Sequence, residues 1–222
     1  MLTHCNLIFK TQYINHNRRS FSLLGFDTYD ESLADGLQVL RYNQTKAYTP
    51  HHDYFDGHFK DDYHDYDSTH VGTNRFATIL LYMNGDKINE DGSGSGKEVI
   101  DGGETVFPDA VIDDVSSISK EQVCFYIKQK LLSIILKTHY IFRFFIKALK
   151  EIRTKYSNVI KRDSWQEKLI VKCKTKLSIR PSNTKAILFY SQFPDGTLDK
   201  SSIHAGCPVL GGTKWLANIW VW

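Results

Sequence analysis

Cysteine is scarce in this chain, and the few cysteines are far apart. Four occur among 222 residues, at Cys5, Cys124, Cys173 and Cys207, and no two of them form a CxxC pair. Closely spaced cysteine pairs are typical of structural zinc sites and of thioredoxin-type redox centres. Their absence argues against both kinds of protein, and the cysteine content leaves the redox compartment open.

The first twenty residues also lack the features of a secretory leader. A short apolar run is broken by Lys10 and followed by polar residues, so no apolar core with a cleavage site can be recognised. We therefore expect either a cytosolic protein or a chain whose true N-terminus is missing.

An uninterrupted apolar span of membrane length is lacking as well. The most apolar stretch, residues 121–156, has apolar residues at helical spacing, at Ile127, Leu131, Ile134, Ile135, Phe142, Phe145, Leu149 and Ile152. It is interrupted by Lys128, Lys130, Lys137, Arg143 and Lys147, which exclude a membrane-spanning helix. The pattern predicts one long helix or two shorter ones that pack on the rest of the protein or form an insert. Contact between this basic helix and a membrane surface is the alternative.

What the sequence does contain is enough apolar material for one globular domain. Apolar residues make up 41% and aromatic residues 13% of the chain. The net charge of +3 hides an uneven distribution, because residues 26–114 hold 19 of the 25 acidic residues and residues 120–176 hold 15 basic residues against 4 acidic ones. The basic residues are interleaved with apolar ones, which favours a solvated helix face over a nucleic-acid-binding patch.

Six short segments are predicted to be β-strands. They are rich in β-branched or aromatic residues and are bounded by Gly, Pro, Asn or Asp. These segments are LQVLRY (37–42), RFATILLYM (75–83), ETVF (104–107), KLSI (176–179), AILFYS (186–191) and KWLANIWVW (214–222). Several short strands without regularly alternating helices predict an antiparallel sandwich or barrel.

The segment YTPHHDYF, residues 48–55, carries the first candidate site. In a strand, side chains two positions apart project from the same face, so His51 and Asp53 are expected to point together while His52 points away. A facial triad of two histidines and one carboxylate holds non-haem Fe(II) and leaves coordination positions open. His51 and Asp53 would supply two of its three ligands.

The third ligand must come from another part of the chain. His204 is favoured because it lies in the strand-rich C-terminal region. Lys214 follows ten residues later, at the start of the next predicted strand. If a hairpin joins the two, both side chains can face one cavity. The other histidines considered, in a polar segment predicted to be a solvent-exposed loop, are His58, His64 and His70.

These motifs resemble the catalytic domain of the prolyl 4-hydroxylases, which are Fe(II)- and 2-oxoglutarate-dependent dioxygenases with a double-stranded β-helix, or jelly-roll, fold. The matching blocks, in family order, are LQVLRYNQTKAYTPHHDYF, TNRFATILLYMN, DGGETVFPDA and LSIRPSNTKAILFYSQFPDGTLDKSSIHAGCPVLGGTKWLANIWVW. The resemblance implies a mainly β dioxygenase domain over residues 37–222, with a basic helical insertion at about 111–164. Residues 1–36 have no clear counterpart, and we expect residues 120–156 to be dispensable for the chemistry.

The resemblance also implies a role for individual residues. The iron ligands would be His51, Asp53 and His204, and Lys214 would bind the distal carboxylate of 2-oxoglutarate. Residues lining the cosubstrate cavity would be Tyr42, Thr105 and Trp220. Arg75 would lie near the groove for the peptide substrate, and Glu104 is a further candidate there. Cys173 and Cys207 lie near positions that form a disulfide in some relatives, and two buried thiols are the equal alternative.

The activity implied is hydroxylation of peptidyl proline to 4-hydroxyproline, with release of succinate and CO2. The cofactors implied are Fe(II), 2-oxoglutarate and L-ascorbate, and the substrate would be a collagen-like or proline-rich protein. The HAGCPVLGGTKW block most resembles enzymes of the secretory pathway, which implies the lumen or the membrane of the endoplasmic reticulum. Three alternatives remain open: a related dioxygenase such as an oxygen sensor, an inactive jelly-roll binding module, and a zinc or other metal protein built on the His- and Asp-rich loop.

Overall fold

The computed structural model describes residues 16–55, 74–85, 100–110, 137–183 and 185–222. Ten β-strands make up most of its regular elements. In chain order the strands are β1 (Gln38–Tyr42), β2 (Tyr48–His51), β3 (Ala77–Tyr82), β4 (Asp101–Gly102), β5 (Thr105–Phe107), β6 (Leu177–Ile179), β7 (Ala186–Tyr190), β8 (His204–Gly206), β9 (Val209–Gly211) and β10 (Lys214–Val221). All six predicted strands are present, and the prediction of a mainly β jelly-roll class is confirmed.

Two four-stranded antiparallel sheets form the core. One has the order β1-β10-β3-β7 and the other the order β2-β8-β5-β6, while β4 and β9 make a small third sheet. β10 pairs with both β1 and β3, so its eight residues run along the middle of the first sheet. Strands that are neighbours in a sheet but distant in sequence are expected of a jelly roll.

The two faces of β3 pack against different partners, as the alternation of a strand requires. Leu80 and Tyr82 point toward the second sheet and pack with Phe107 of β5. Ile79, on the opposite face, packs with Phe21 from a helix, here α1, that covers residues 16–23. The described part of the N-terminal segment therefore covers the outer face of the first sheet.

Among the described residues, two further helices follow β5, α2 (Lys137–Lys155) and α3 (Trp165–Thr175), and short 3-10 turns span Glu31–Leu33 and Lys200–Ser202. The predicted helix at 121–156 is confirmed for its second half, while residues 121–136 lie outside the described residues. α3 was not predicted. Its N-cap is Ser164, whose hydroxyl accepts a hydrogen bond from the backbone N–H of Glu167, three residues on.

The α2–α3 pair packs on the body of the domain. Arg153 of α2 donates to both carboxylate oxygens of Glu167 in α3, at 2.7 and 2.9 Å. Beneath this ion pair is an apolar cluster formed by Ile152, Tyr156, Ile160, Ile170, Val171 and Leu210. Leu210 belongs to β9, so the end of the predicted insertion shares a core with the strands. In the part of the chain that the structure describes, no helix has the length and apolarity needed to cross a membrane.

For Cys173 and Cys207, the sequence left a disulfide and two buried thiols as equal alternatives, and the structure contains the disulfide. Cys173 in α3 and Cys207 after β8 are bonded, and both are buried. The bond joins the helix that precedes β6 to the segment three residues beyond His204. The backbone N–H of Cys207 also donates to the carbonyl of Glu104, which ties the same segment to β5.

Candidate active site

The three residues predicted to be metal ligands lie together between the two sheets. His51 at the end of β2 and His204 at the start of β8 are direct partners in the antiparallel register, with ring centroids 4.3 Å apart. Asp53 lies just beyond β2, and one ligand atom from each of the three residues lies within 4.8 Å of the others. Among the described residues, this is the one group of three or more His, Cys, Asp or Glu side chains suited to a metal ion.

Both histidines are oriented by backbone carbonyls. Nδ1 of His51 lies 2.8 Å from the carbonyl oxygen of Thr49, and Nδ1 of His204 lies 3.0 Å from that of Ser202. A carbonyl oxygen can only accept, so each Nδ1 carries the proton and each Nε2 presents a lone pair. This arrangement fixes the tautomer that a metal-binding histidine needs.

The Nε2 atoms point toward Asp53. Nε2 of His51 is 3.7 Å from Oδ1 and Nε2 of His204 is 3.7 Å from Oδ2 of this carboxylate. These separations are too long for hydrogen bonds. Adjacent ligand atoms that each lie about 2.0–2.2 Å from one ion are roughly 3 to 3.5 Å apart, so a small inward shift of these side chains would bring all three atoms to an ion. Two neutral imidazoles and one carboxylate fit Fe(II), and such a triad leaves positions open for substrate.

The burial of His204 favours its role as a neutral ligand. Burial lowers the pKa of His204 below its ordinary value, the charge of Asp53 opposes this shift, and His51 adds to it. A lower pKa keeps the imidazole deprotonated at neutral pH, which metal binding requires. His52, by contrast, turns its Nε2 toward the carbonyl oxygen of Lys200, at 3.4 Å.

The triad opens into a cavity of about 480 Å³ between the sheets. Lys214 lies in its wall although it belongs to the first sheet and His204 to the second. No hairpin joins β8 and β10, because β9 lies between them in sequence and pairs with β4. The two side chains meet because the sheets face each other.

Lys214 has unusual surroundings for a lysine. It is 2% exposed, and its Nζ lies 5.6 Å from the ring centroid of Tyr42 and 5.3 Å from that of Tyr82. Gly103 lies against its stem, where an added Cβ would be 3.3 Å from Cδ of the lysine. Burial lowers the pKa of Lys214 to about 7, and the charge of Glu104 opposes the shift. An anionic group entering the cavity would find a buried, positioned partner.

Hydroxyl groups surround this lysine. Burial raises the pKa of Tyr42, and Tyr48 adds to the effect, so the phenol keeps its proton. Tyr82 donates to Oγ1 of Thr105 at 2.7 Å and lies 3.0 Å from the carbonyl oxygen of Ile179. Tyr42, Thr105 and Lys214 all line the cavity and supply polar groups at this end of it. Their binding of a cosubstrate remains a prediction.

Arg75 and Trp220 lie together at the other end. The guanidinium carbon of Arg75 is 4.0 Å from the ring centroid of Trp220, and Arg75 donates two hydrogen bonds to Asp35. Lys214 and Trp220 are six residues apart on one face of β10, which corresponds to about 20 Å in a strand. Trp220 was predicted to line the cosubstrate cavity; it does line the cavity, at the end away from Lys214.

Glu104 is the one predicted site residue that lines a different cavity. Because neighbouring residues of a strand alternate, Thr105 faces the triad cavity whereas Glu104 lines a smaller cavity beside the disulfide. This second cavity, of about 290 Å³, is also lined by Asp101, Lys155 and Lys174. The role of Glu104 in substrate binding remains a prediction. His58, His64 and His70 lie outside the described residues.

Three polar residues that line the cavity or hold a residue of its wall were not predicted from the sequence. Thr78 donates to Oδ2 of Asp53 at 2.6 Å, Tyr82 holds Thr105, and Asn218 lines the wall beside Trp220. Oδ1 of Asn218 and Nε1 of Trp220 are buried and have no hydrogen-bond partner among the described residues. A polar residue on the inward-facing side of an apolar strand was the signal available for all three.

Comparisons with known proteins agree with this geometry. A sequence model of the 2OG-Fe(II) oxygenase superfamily matches residues 37–222. The chain is 31% identical to probable prolyl 4-hydroxylase 10 and 30% identical to prolyl 4-hydroxylase 5, both of Arabidopsis thaliana, over 187 residues in each case. These alignments cover 84% of this chain but 42% and 41% of those proteins, so the chain spans about two fifths of their length.

Among solved structures, the chain can be superposed on the viral collagen prolyl hydroxylase from Paramecium Bursaria Chlorella virus-1 in complex with 2OG. It shares 20% sequence identity with this chain at a TM-score of 0.46, and the superposition covers 94% of this chain and 71% of that chain.

Proposed function

The chain belongs to the 2OG-Fe(II) oxygenase superfamily, and on this premise we propose that it is the catalytic part of a prolyl 4-hydroxylase. It would convert peptidyl proline to 4-hydroxyproline and use one O2 and one 2-oxoglutarate, which leaves as succinate and CO2. The proposal is supported by curated relatives of that name at about 30% identity. The observation that carries it is the shared cavity of the triad and Lys214.

Each predicted residue has a defined task in this proposal. Fe(II), when bound, supplies the oxidative chemistry, in which the decarboxylation of 2-oxoglutarate is coupled to hydroxylation at proline C4. His51, Asp53 and His204 would hold the ion, with both imidazole Nε2 atoms deprotonated. The ammonium of Lys214 would pair with the distal carboxylate of 2-oxoglutarate. Hydroxyl donors near this carboxylate would come from Tyr42 and Thr105.

The opposite end of the cavity would receive the peptide. Rings of Phe55, Trp220 and Trp222 surround the guanidinium of Arg75, at 4.7, 4.0 and 5.6 Å from its carbon atom. Flat aromatic surfaces with a fixed cation suit a proline-rich segment, whose polyproline II conformation is preformed and leaves carbonyl groups free to accept hydrogen bonds. We therefore propose a collagen-like or proline-rich substrate.

Two finer aspects are part of the same proposal. L-ascorbate would serve as the reductant that restores iron oxidised in turnovers without peptide. The protein would act in the lumen of the endoplasmic reticulum, which is supported by the disulfide between Cys173 and Cys207, since disulfides persist in oxidising compartments.

The proposal can be tested with purified protein, Fe(II), ascorbate and carboxyl-labelled 2-oxoglutarate. We expect release of labelled CO2 that increases when a proline-rich or collagen-like peptide is added, and a mass gain of one oxygen on the peptide. The same peptide with alanine in place of proline is the matched control and should gain no oxygen.

Other outcomes of this assay would favour one of the alternatives to a prolyl 4-hydroxylase. Oxygen transfer to the alanine peptide would contradict proline as the target. Metal binding without any labelled CO2 would favour the inactive binding module. Stimulation by neither peptide, with steady uncoupled release of CO2, would favour a related dioxygenase with another protein target.

A further inference from the structure

We propose that Thr78 is a positioning residue of the metal centre, which sets the rotation of the Asp53 carboxylate and leaves Oδ1 directed at the ion. The inference rests on the proposed iron site but not on the identity of the substrate. The two residues are 25 positions apart in sequence and are joined by a 2.6 Å hydrogen bond from Oγ1 of Thr78 to Oδ2 of Asp53.

The position of Thr78 in the sheet makes this contact rigid. Thr78 lies in β3, which is hydrogen-bonded on both sides, with Trp220 and Phe189 as its direct partners. Its side chain shares the inward face with Leu80 and Tyr82, both of which pack in the core. Thr78 is 1% exposed, so water has little access to replace its hydroxyl.

The chemistry of the carboxylate explains why a hydroxyl is needed there. An ionised carboxylate can only accept hydrogen bonds, and burying it without donors is costly. Asp53 is 5% exposed, and both histidine Nε2 atoms lie too far from it, at 3.7 Å, to donate to it. Among the described residues, the side-chain hydrogen bond to this carboxylate is the one from Thr78. A buried Thr in the otherwise apolar strand segment ATILLY therefore has a specific partner.

The hydrogen bond also gives the two carboxylate oxygens of Asp53 different roles. With Oδ2 accepting the short bond from Thr78, rotation about the Cβ–Cγ bond of Asp53 is restricted. Oδ1, 3.7 Å from Nε2 of His51, is then the oxygen free to act as a metal ligand. Partners that orient a ligating carboxylate or histidine in this way typically contribute a factor of about 10 to 100 in metal affinity or activity.

The test compares Thr78→Val with Thr78→Ser. Valine keeps the branched shape and removes the donor, whereas serine keeps the donor and removes a methyl group. The probe is Co2+ binding to the purified protein, followed through its visible absorption, with thermal unfolding measured in parallel. We expect Thr78→Val to lower the affinity for Co2+ by roughly 10- to 100-fold and to change the absorption spectrum. Thr78→Ser should retain the wild-type spectrum and nearly the wild-type affinity.

Thr175→Val is the control, because Thr175 donates to the carbonyl of Val171 in α3, away from the cavity. It should bind Co2+ like the wild type. Equal affinity and identical spectra in the Val and Ser variants would overturn the proposal. A loss of affinity in both variants that follows their loss in thermal stability would also overturn it, since this would indicate a packing role. Failure of the wild type to bind Co2+ would instead overturn the iron site itself.

Discussion

Lys214 and Tyr42 are direct partners across the antiparallel pair of β10 and β1, and the lysine ammonium lies 5.6 Å from the centroid of the phenol ring. The pairing holds a buried positive charge against an aromatic face rather than in water. Burial lowers the pKa of this lysine to about 7, so its charge changes within the physiological range. Affinity for an anionic cosubstrate should therefore depend on pH.

The first prediction is the sign of this dependence. The ammonium form is fully present below pH 7 and is lost as the pH rises through about 7, so the Kd for 2-oxoglutarate should increase from pH 7 upward. Binding of the dianion favours the protonated lysine, which raises its pKa in the complex. Titration calorimetry without oxygen, from pH 6 to 9 and in the presence of Mn2+, measures the effect.

Lys214→Met supplies the baseline for this experiment, because it retains an apolar stem and cannot carry a charge. Its Kd should exceed that of the wild type at pH 6.5 by more than about a hundredfold, which corresponds to roughly 3 to 5 kcal/mol for removing the partner of a buried charge. Any pH dependence left in the variant belongs to the metal ligands. If the Kd of the wild type varied with pH in the same way as that of Lys214→Met, the assignment of Lys214 as the partner of the 2-oxoglutarate carboxylate would be wrong.

The second prediction separates the two adjacent histidines. His51→Ala should abolish metal-dependent turnover, with a loss greater than the roughly 10- to 100-fold typical of residues outside the first coordination shell. His52→Ala is the matched control, because His52 lines the same cavity but its Nε2 points to the carbonyl of Lys200. It should leave Co2+ binding nearly unchanged. If His52→Ala were the more harmful change, the assignment of the triad would be wrong.

Much of this fold could be predicted because its strands have local signals. β1, β3 and β10 are short, apolar or aromatic and flanked by turn residues, and their boundaries differ from the prediction by no more than two residues. The convergence of His51 and Asp53 was predicted correctly, although Asp53 lies just after β2 rather than in it. The side chains of His51 and Asp53 point the same way, and that of His52 points elsewhere, because successive residues of an extended chain alternate in direction.

The parts that could not be predicted depend on contacts between distant residues. The hydroxyls of Thr78 and Tyr82 lie inside an apolar strand, and their partners Asp53 and Thr105 are 25 and 23 residues away in sequence. Lys214 meets the triad through the packing of two sheets, which no spacing in the sequence encodes. The α3 helix was different, since the S-x-x-E pattern of its N-terminus, at Ser164 and Glu167, was visible in the sequence.

The third prediction concerns the peptide end of the cavity. Arg75→Gln should raise the KM for a proline-rich peptide at least severalfold more than the KM for 2-oxoglutarate, because Arg75 stacks on Trp220 at the end away from Lys214. Asp35→Asn is the control for the ion pair. It removes the negative charge that pairs with Arg75 but keeps the arginine itself. Steady-state kinetics with each substrate varied in turn provide the measurement. Equal changes in both KM values for Arg75→Gln would contradict the separation of the two ends.

The fourth prediction is the contribution of the disulfide to stability. The bond between Cys173 and Cys207 closes a loop over a sequence separation of 34 residues, so its removal should cost about 3 to 4 kcal/mol of unfolding free energy. The double variant Cys173→Ser, Cys207→Ser, compared with the wild type in urea, measures this cost. Dithiothreitol should destabilise the wild type to a similar extent and leave the double variant unchanged. An effect of dithiothreitol on the double variant would assign the sensitivity to other cysteines.

The last prediction concerns the helical region that the sequence analysis treated as an insertion. Ile152 in α2 is 1% exposed and packs with Leu210 of β9, so Ile152→Ala should lower the unfolding free energy by about 2 to 5 kcal/mol. Phe145→Ala on the same helix is the control, since Phe145 is 43% exposed and its loss should change stability by no more than about 0.5 kcal/mol.

Because no residue of the candidate site lies in α2, Co2+ affinity should be unchanged in both variants at temperatures where they remain folded. The same reasoning applies to the replacement of residues 120–156 by a short Gly/Ser linker, which removes Ile152 and Tyr156 from the cluster around Leu210. We expect such a protein to be less stable and still able to bind the metal and release CO2 from 2-oxoglutarate. A folded linker variant that binds Co2+ without turnover would show that this region shapes the active site, and its description as dispensable for the chemistry would then be wrong.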